Sequence, residues 1–568
     1  MSAPRAESFD AVVVGSGFGG AVTACRLAEG GLSVLVLERG KPYPPGAFAR
    51  TPRQLQKAFW DPPNGLHGLF ELWRFSGLDM VCASGLGGGS LIYANVMLPK
   101  DEDTFVSEDM ATGGREHWPL SHGDLERHYD HVRAMQRPQR FPAEVEPYAS
   151  TAKTRAMEDA AAALGLEAQR PELAVLFAAS EGDVPVPGAP VPGEDLHGLP
   201  RTTCRLCGEC DIGCNFGAKN TLDFTYLSAA QRAGAQLRTC CEVRTIEPLE
   251  RGREGYRVGY RQHLEARDGH RPDLLDPTDE PARTVRAGRV ILAAGAVGST
   301  RLLLANRAAL PGLGRALGTR VSANGDAIGM IRDARRARSN GAPRYLDPSH
   351  GPVITTSIKV PADRSPSGRV HQIQDGGAPV LADWLWESLE LPKLPWRMRH
   401  TIAREIRGAL SGRRDSNLGA EVAELFSDRS GPLMPLLANG RDIPDGRYVL
   451  EDGRLDLDWE SAPSEEYYQG VERGFRDVAA ALGGKYLEGP WRRINRSVTI
   501  HPLGGCPISA DPRHGVVDPW GEVFGFPGLH VADGAAMPGP VGVNPSFTIA
   551  AFADRVAEAI LDGRGEAV

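Results

Sequence analysis

The chain has 568 residues, 41% of them hydrophobic and 24% charged, an ordinary globular composition with length for more than one domain. A formal net charge of −8 and a pI of about 6.0, with no basic run, argue against nucleic acid as a partner. No apolar run approaches the roughly 18 residues of a membrane span, and the N-terminus lacks the charged leader, apolar core and cleavage site of a secretory signal, so the expected location is cytoplasmic.

In chain order, residues 9–15 (FDAVVVG) predict a short buried strand. AVTACRLAEGG at 21–31 has helical periodicity and stops at Gly-Gly, and LSVLVLERG at 32–40 is a second apolar strand. Strand, Gly-rich turn, helix and strand within about 30 residues make a βαβ unit, which predicts a parallel sheet. In the turn, Gly15, Gly17 and Gly20 spell G-x-G-x-x-G, with Phe18 and Gly19 completing GSGFGG. The first Gly permits a tight turn, the second lets backbone approach a pyrophosphate, and the third lets helix and strand pack closely. The helix N-terminus then faces the phosphates. Glu38 ends the second strand, where an acid suits a ribose hydroxyl. The plain alternative is a glycine turn with a surface Glu; the complete order of strand, turn, helix, strand and acid argues against it. The fingerprint does not separate FAD from NAD.

GLGGGS at 85–90 contributes Gly85, Gly87, Gly88, Gly89 and Ser90, whose backbone amides stand clear of side chains and suit an anion or a ring face. Residues 183–203 (DVPVPGAPVPGEDLHGLPRTT) are Pro/Gly-rich and read as an excursion or lid. Next, Cys204-x2-Cys207-x2-Cys210-x3-Cys214 has the spacing of a ferredoxin cluster loop, with Asn215 in place of the usual Pro. Nine cysteines, an odd count, without a signal peptide do not suggest a secreted disulfide framework, and the spacing favours a metal. Two readings stand: an iron–sulfur cluster held by all four of these cysteines or by three of them, and a structural cysteine loop.

Further on, CEVRTI at 241–246, which contains Val243, is strand-like, and residues 265–283 are a polar, exposed loop. RAGRVILAAGA (286–296) and GLHVADGAA (528–536) predict more buried strands. Residues 330–490 mix strand-like runs such as PVITTSIKV (352–360) with an Arg- and Leu-rich helical stretch near 396–412. Trp384, Trp386 and Trp396 suit an apolar pocket or plain core equally. HQIQDGGAP at 371–379 is a second pocket segment with no assigned role. PSFTIAAFADRVAEAILDG (545–563) is an amphipathic helix closed by Gly, with Asn544 placed as its N-cap and Pro545 as its first residue. There are no repeats.

Five of these segments, taken in order, resemble the glucose-methanol-choline (GMC) flavoprotein oxidoreductases, and within them the cholesterol oxidase-like branch. They are GSGFGG (15–20), SGLGGGSLIYANVMLP (84–99), ILAAGAVGSTRLL (291–303), HPLGGC (501–506) and ADGAAMPGPVGVNPSFTIAAFADR (532–555). The resemblance covers nearly the whole chain in pieces. It implies bound FAD, with Ala294 and Gly295 in the third motif, Asp533 and Gly534 against the cofactor, and backbone at Val243 facing the adenine. It also implies oxidation of a small-molecule alcohol by hydride transfer to flavin N5, with His501 as base and Asn544 as the second polar group on the reacting oxygen. A His titrates near neutrality, which suits a base; without its HPLGGC context it would more simply be a core His. The helix from Pro545 would point its positive end at the reduced ring, worth ~0.3–2 kcal/mol. Some dehydrogenases of this family carry an iron–sulfur centre in a Cys-rich segment before a Gly-Ala pair, here Gly217-Ala218, while sterol-active members have such cysteines without one. The Glu that cholesterol oxidases use to isomerise the double bond has no assigned place.

The expected fold is α/β: a Rossmann-like FAD domain assembled from residues 1–100, 205–325 and 495–568, and an α+β substrate domain with an antiparallel sheet from 326–494. Residues 101–204 form a connecting or lid region. The favoured substrate is a sterol or other bulky apolar secondary alcohol, and oxygen or a redox partner takes the electrons. The rivals are a polyol or sugar dehydrogenase with an iron–sulfur relay, an FAD-containing lyase without net redox chemistry, and a non-enzymatic flavin-binding protein.

Overall fold

A computed structural model of the protein describes residues 7–108, 114–180, 182–249, 254–263, 282–335, 341–377, 433–489, 492 and 496–564. The first strand, Ser8–Val14, lies parallel to Val34–Leu37 on one side and to Ala282–Leu292 on the other. Gln236–Arg238 extends the parallel sheet beyond Val34–Leu37, and Leu529–Val531 pairs parallel with residues 290–292. The sheet therefore gathers strands from the start, the middle and the end of the chain, as the α/β reading expects. Its strands are continuous apolar runs because both faces are covered: Val12, Val13, Leu35, Val290, Ile291 and Leu529 are fully buried. Helices Phe18–Glu29 and Ser546–Leu561 pack together on it.

Ala282–Leu292 is longer than its apolar core. Its first half turns to an antiparallel partner, Tyr256–Gln262, which pairs in turn with Cys241–Pro248. One long strand thus belongs to a parallel sheet at one end and an antiparallel extension at the other.

A second sheet is antiparallel throughout, in the order 168–169, Ser357–Val360, His371–Asp375, Met434–Gly440, Ala327–Arg332 and Lys485–Glu488. Side chains alternate across it. Ile358, Ile373 and Leu436 face a core closed by Val471, Phe475 and Val478 of helix Glu465–Ala481 and by Ala156, Met157 and Ala160 of helix Ala152–Leu164. Gln374 and Leu437, one residue out of phase, face the central cavity.

PVITTSIKV forms strand only over Ser357–Val360. The amides of Thr355 and Thr356 donate instead to the Asp375 carboxylate, at 2.9 and 2.7 Å, so a side chain takes the place of a strand partner. Asp375 is itself paired with Lys153, whose Nζ also donates to the carbonyls of Pro352 and Val353, each at 2.7 Å. HQIQDGGAP is described as far as Gly377, and its first five residues form the strand His371–Asp375. Trp384, Trp386, Trp396, the stretch near 396–412 and most of the 265–283 loop lie outside the described residues. Among the described residues no helix is long and apolar enough to cross a membrane.

A hairpin of Phe70–Arg74 and Leu78–Ala83 takes Ser497–Thr499 as a parallel third strand, which sets His501 two residues further on. The Lys153–Asp375 pair is wholly buried. Removing the cation strands the carboxylate, so Lys153→Met should destabilise the protein by about 3–5 kcal/mol. An unchanged urea unfolding midpoint would refute that expectation.

Candidate active site

The parallel strands end at one edge, and the glycine turns close over it. Gly15 has φ +96°, and a Cβ there would lie 2.4 Å from the Ala293 carbonyl oxygen. A Cβ at Gly20 would meet the Gly15 carbonyl oxygen at 2.0 Å, which is the close helix–strand packing the motif predicts. The helix from Phe18 has no side-chain cap, and Gly15, Gly17, Phe18 and Gly19 line a cavity of about 450 Å3. The second glycine segment presses close on the first: a Cβ at Gly88 would sit 2.6 Å from the Gly17 Cα, and Ser16 Oγ accepts from Gly87 N at 3.0 Å. Gly89 and Gly295 have nothing within 4 Å where a Cβ would stand, so both leave open space.

Glu38 lies at this wall, 5% exposed. Its carboxylate accepts from Ser16 N (3.0 Å), Ser16 Oγ (2.6 Å) and Gly40 N (2.8 Å), so the acid ties the strand end to the glycine turn. Burial raises its pKa, against those hydrogen bonds. Asp533 plays a similar part opposite: its carboxylate accepts from Gly295 N (2.7 Å), Ser299 Oγ (2.6 Å) and Ala535 N (2.8 Å), and burial pushes it up to about 6. Val243, Ala294 and Gly534 also line the cavity. Gly20, Gly85, Gly87 and Ser90 do not. Ser90 Oγ instead donates to the Gly87 carbonyl at 2.7 Å and accepts from Leu222 N at 3.1 Å, holding its own turn.

At the polar wall, His501 Nδ1 lies 2.8 Å from Asp326 Oδ1. The second oxygen of Asp326 accepts from Thr499 Oγ1 (2.8 Å) and Ile500 N (3.0 Å), which fixes the carboxylate and the ring it holds. Asn544 lines the same cavity, and its placement corrects the sequence reading. The last helix begins at Ser546 with Pro545 at the cap position and no side-chain cap. The Asn544 carboxamide oxygen accepts from Gln374 Nε2 at 2.8 Å, so the bond from the second sheet takes the oxygen a cap would use. Asn324 holds the approach to it, donating to the Val543 carbonyl and accepting from Gly542 N, both at 2.9 Å. Pro545 and Ser546 still bring the positive end of that helix to the cavity.

Sequence reasoning did not find Asp326, Asn439 or Asn95, and named Gln374 only as part of the pocket segment HQIQDGGAP, without a role; all four line this cavity. Asn95 sits in the second glycine segment with φ +71°, fully buried, and neither atom of its carboxamide has a partner. An orphaned amide, open glycine walls and an uncapped helix N-terminus in one elongated set of residues fit a flavin dinucleotide, which has a pyrophosphate and a polar ring edge to satisfy them.

Cys204, Cys207, Cys210 and Cys214 are free thiols that together line a separate cavity of about 20 Å3.

The family description "GMC oxidoreductase" matches residues 452–553, and "NAD(P)-binding Rossmann-like domain" matches 13–73. Cholesterol oxidase from Mycobacterium tuberculosis is 31% identical over 97% of this chain and 90% of its own. The chain belongs to the GMC oxidoreductases. It is an FAD-dependent alcohol oxidoreductase of the cholesterol oxidase-like kind. Cholesterol oxidase from Acinetobacter baumannii is 27% identical over 96% of this chain and 93% of its own. A long-chain-alcohol oxidase from Arabidopsis thaliana is 23% identical over 97% of this chain and 66% of its own. The fold is shared with a crystal structure of pyridoxine 4-oxidase from Mesorbium loti, at a TM-score of 0.54 and 16% identity over 97% of this chain and 98% of that one.

Gly89 offers a clean test of the cofactor cradle, because its backbone is not in the left-handed region and its Cβ would meet only open space. Gly89→Val should fold normally by circular dichroism yet purify with several-fold less FAD. Full FAD content in that variant would remove Gly89 from the cofactor wall.

Proposed function

We propose that this GMC oxidoreductase oxidises a bulky apolar secondary alcohol, a sterol being the favoured case, with His501 as the base and Asn544 holding the reacting oxygen. The observation that carries the proton step is the His501–Asp326 pair at 2.8 Å. A carboxylate can only accept, so the ring proton belongs on Nδ1 and the Nε2 lone pair is left to take the hydroxyl proton. Asp326 acts as a positioning residue that holds the tautomer and ring plane. Asn544 has its oxygen engaged by Gln374, which leaves its NH2 as a donor to the substrate oxygen. Bound FAD supplies the hydride acceptor.

Substrate class rests on the wall around this pair. Ile328 and Leu437 of the second sheet, with Val498 and Ile500 before His501, make it apolar. An apolar wall suits a hydrocarbon-rich alcohol, whereas a polyol would leave hydroxyls without partners. Two relatives named cholesterol oxidase agree with that class. The amides of Gln374 and Asn439 on the same wall favour the second reading, a polar alcohol, which a similar protein named paromamine 6'-oxidase from Streptomyces fradiae illustrates at 25% identity over 97% of this chain and 91% of its own. Nine free cysteines support a reducing, cytoplasmic setting.

Anaerobic addition of a 3β-hydroxysterol should bleach the flavin absorbance of the wild type. Bleaching by polyols or aminoglycosides but not by sterols would replace the substrate assignment and keep the flavin chemistry. His501→Ala should slow anaerobic flavin reduction by about 10²–10⁴-fold with FAD retained. Asp326→Asn should slow it less, with the sterol KM little changed; reduction at the wild-type rate in His501→Ala would overturn the base assignment.

A further inference from the structure

We propose that His128, His131 and Asp554 bind one divalent cation of the zinc type, where helix His122–Gln136 packs on the final helix, Ser546–Leu561. Among the described residues this is the one group of three or more His, Cys, Asp or Glu side chains whose ligand atoms all lie within 4.8 Å of one another. None of the three lines the central cavity, so the site is separate from the flavin and the proposed chemistry.

Helical spacing builds it. His128 and His131 stand three residues apart, which puts both rings on one face of their helix. That face turns inward: Leu125, His128 and Val132 are buried, while His131 sits at the rim with 47% of its side chain exposed. Asp554 reaches them from the final helix. A single carboxylate oxygen, Oδ2, lies 2.7 Å from His128 Nδ1 and 2.9 Å from His131 Nδ1. The two rings meet edge to face, at 87° with centroids 6.1 Å apart, and both aim the same nitrogen at that oxygen.

Two imidazole nitrogens and one carboxylate oxygen suit zinc and its neighbours, whereas calcium and magnesium take oxygens. Zinc holds such ligands at about 2.0–2.2 Å, which sets the ligand atoms roughly 3.4 Å apart. The rings must therefore draw back by about half an ångström, and His131 has solvent behind it to do so. A carboxylate only accepts, so before metal binds the ring protons stand on Nδ1. Binding exchanges each of them for a proton on Nε2 and leaves the rings neutral. For His128 the new N–H meets Glu558, whose Oε2 lies 3.6 Å from Nε2. A carboxylate on the outer nitrogen is the usual support of a ligating His. The open side at His131 admits water as the fourth ligand.

The surrounding charges leave room for a cation. Arg127 is paired with Glu558 at 2.8 Å. Arg26 Nε lies 3.0 Å from Asp554 Oδ1 but out of line, so Oδ1 accepts no hydrogen bond although its side chain is fully buried. Metal binding through Oδ2 alone leaves Arg26 in place on Oδ1. The ion then clamps three helices, because Arg26 belongs to helix Phe18–Glu29. Phe18 and Ser546, at the starts of two of them, line the central cavity. Asp554 stands eight residues beyond Ser546, about 12 Å along the helix.

The test uses the full-length flavoprotein, stripped with a chelator and dialysed against zinc. Wild type should retain one zinc atom per chain more than His131→Ala treated alike. His131 is the residue to change because its exposed ring leaves no buried void. Zinc should raise the melting temperature of the wild type by a few degrees and leave that of His131→Ala unmoved. Zinc-edge X-ray absorption of the wild type should show a nitrogen and oxygen shell at about 2.0–2.1 Å. Equal zinc content and equal melting shifts in the two proteins would overturn the proposal. So would a shell of sulfur alone at about 2.3 Å, which would put the metal on the cysteine loop. If His131→Ala does not fold, the ligand shell of the wild type decides alone.

Discussion

The structure depends on one constraint: four chain segments must meet where there is room for backbone only. The turn at Gly15–Gly20, the turn at Gly88, the 293–295 junction and the 532–534 turn press against one another so closely that a side chain is excluded at Gly15, Gly19, Gly20 and Gly88. A Cβ at Gly19 would stand 2.2 Å from the Ala532 carbonyl, and one at Gly88 would strike Gly17. Crowding of this kind has a purpose only if the amides it gathers face something that needs them, and they line the central cavity. The two buried acids beside them, Glu38 and Asp533, spend most of their hydrogen-bonding capacity on the turns themselves. They read first as braces for the cradle, and any contact with a ligand is made with lone pairs that remain.

The end of the cavity around His501 and Asn544, where the reaction is proposed, is organised differently. There side chains, not backbone, converge, and nearly every one is held by a partner from another segment. Asp326, just before strand Ala327–Arg332 of the second sheet, orients His501; Gln374 from that sheet's middle engages Asn544; Asn324 ties down residues 542–543. Each bond crosses between sheets or distant loops, so the polar groups at this end exist as a set only when the antiparallel sheet is docked. That dependence ties the buried Lys153–Asp375 pair to the site: Asp375 anchors Thr355 and Thr356 and follows Gln374 directly.

Local signals made the cofactor half legible. The G-x-G-x-x-G turn, the apolar strands and the final helix carry their own periodicity and turn chemistry. The first strand and the final helix formed within a residue or two of their expected places, while the first helix starts three residues earlier than expected, at Phe18, and the strands of 286–296 and 528–536 have other bounds, Ala282–Leu292 and Leu529–Val531. What stayed hidden was non-local. Asp326 sits in SANGDAIG, a stretch with no pattern to mark it, and becomes significant only because Ser497–Thr499 brings His501 alongside. Gln374 had a weak signal in the alternation of HQIQD, but alternation tells which face a residue occupies and not what it meets. Asn544-Pro545 was misplaced for a related reason: the local rule for helix caps was sound, and a long-range hydrogen bond outcompeted it.

The two halves also carry different kinds of information. Backbone geometry, braced by the side chains of Glu38 and Asp533, shapes the cradle that fits a flavin dinucleotide. The second sheet lines another part of the cavity, and that face can vary without disturbing Ile358, Ile373 and Leu436 on the reverse, which pack the core. A fold divided in this way keeps its chemistry while its substrate drifts. Relatives named for cholesterol, long-chain alcohols and paromamine, at 23–31% identity over nearly the whole chain, fit that division. Ile328, Gln374, Leu437 and Asn439 lie on that cavity face, a mixture of apolar and amide groups, and under the proposed function these positions would be the ones that choose the substrate.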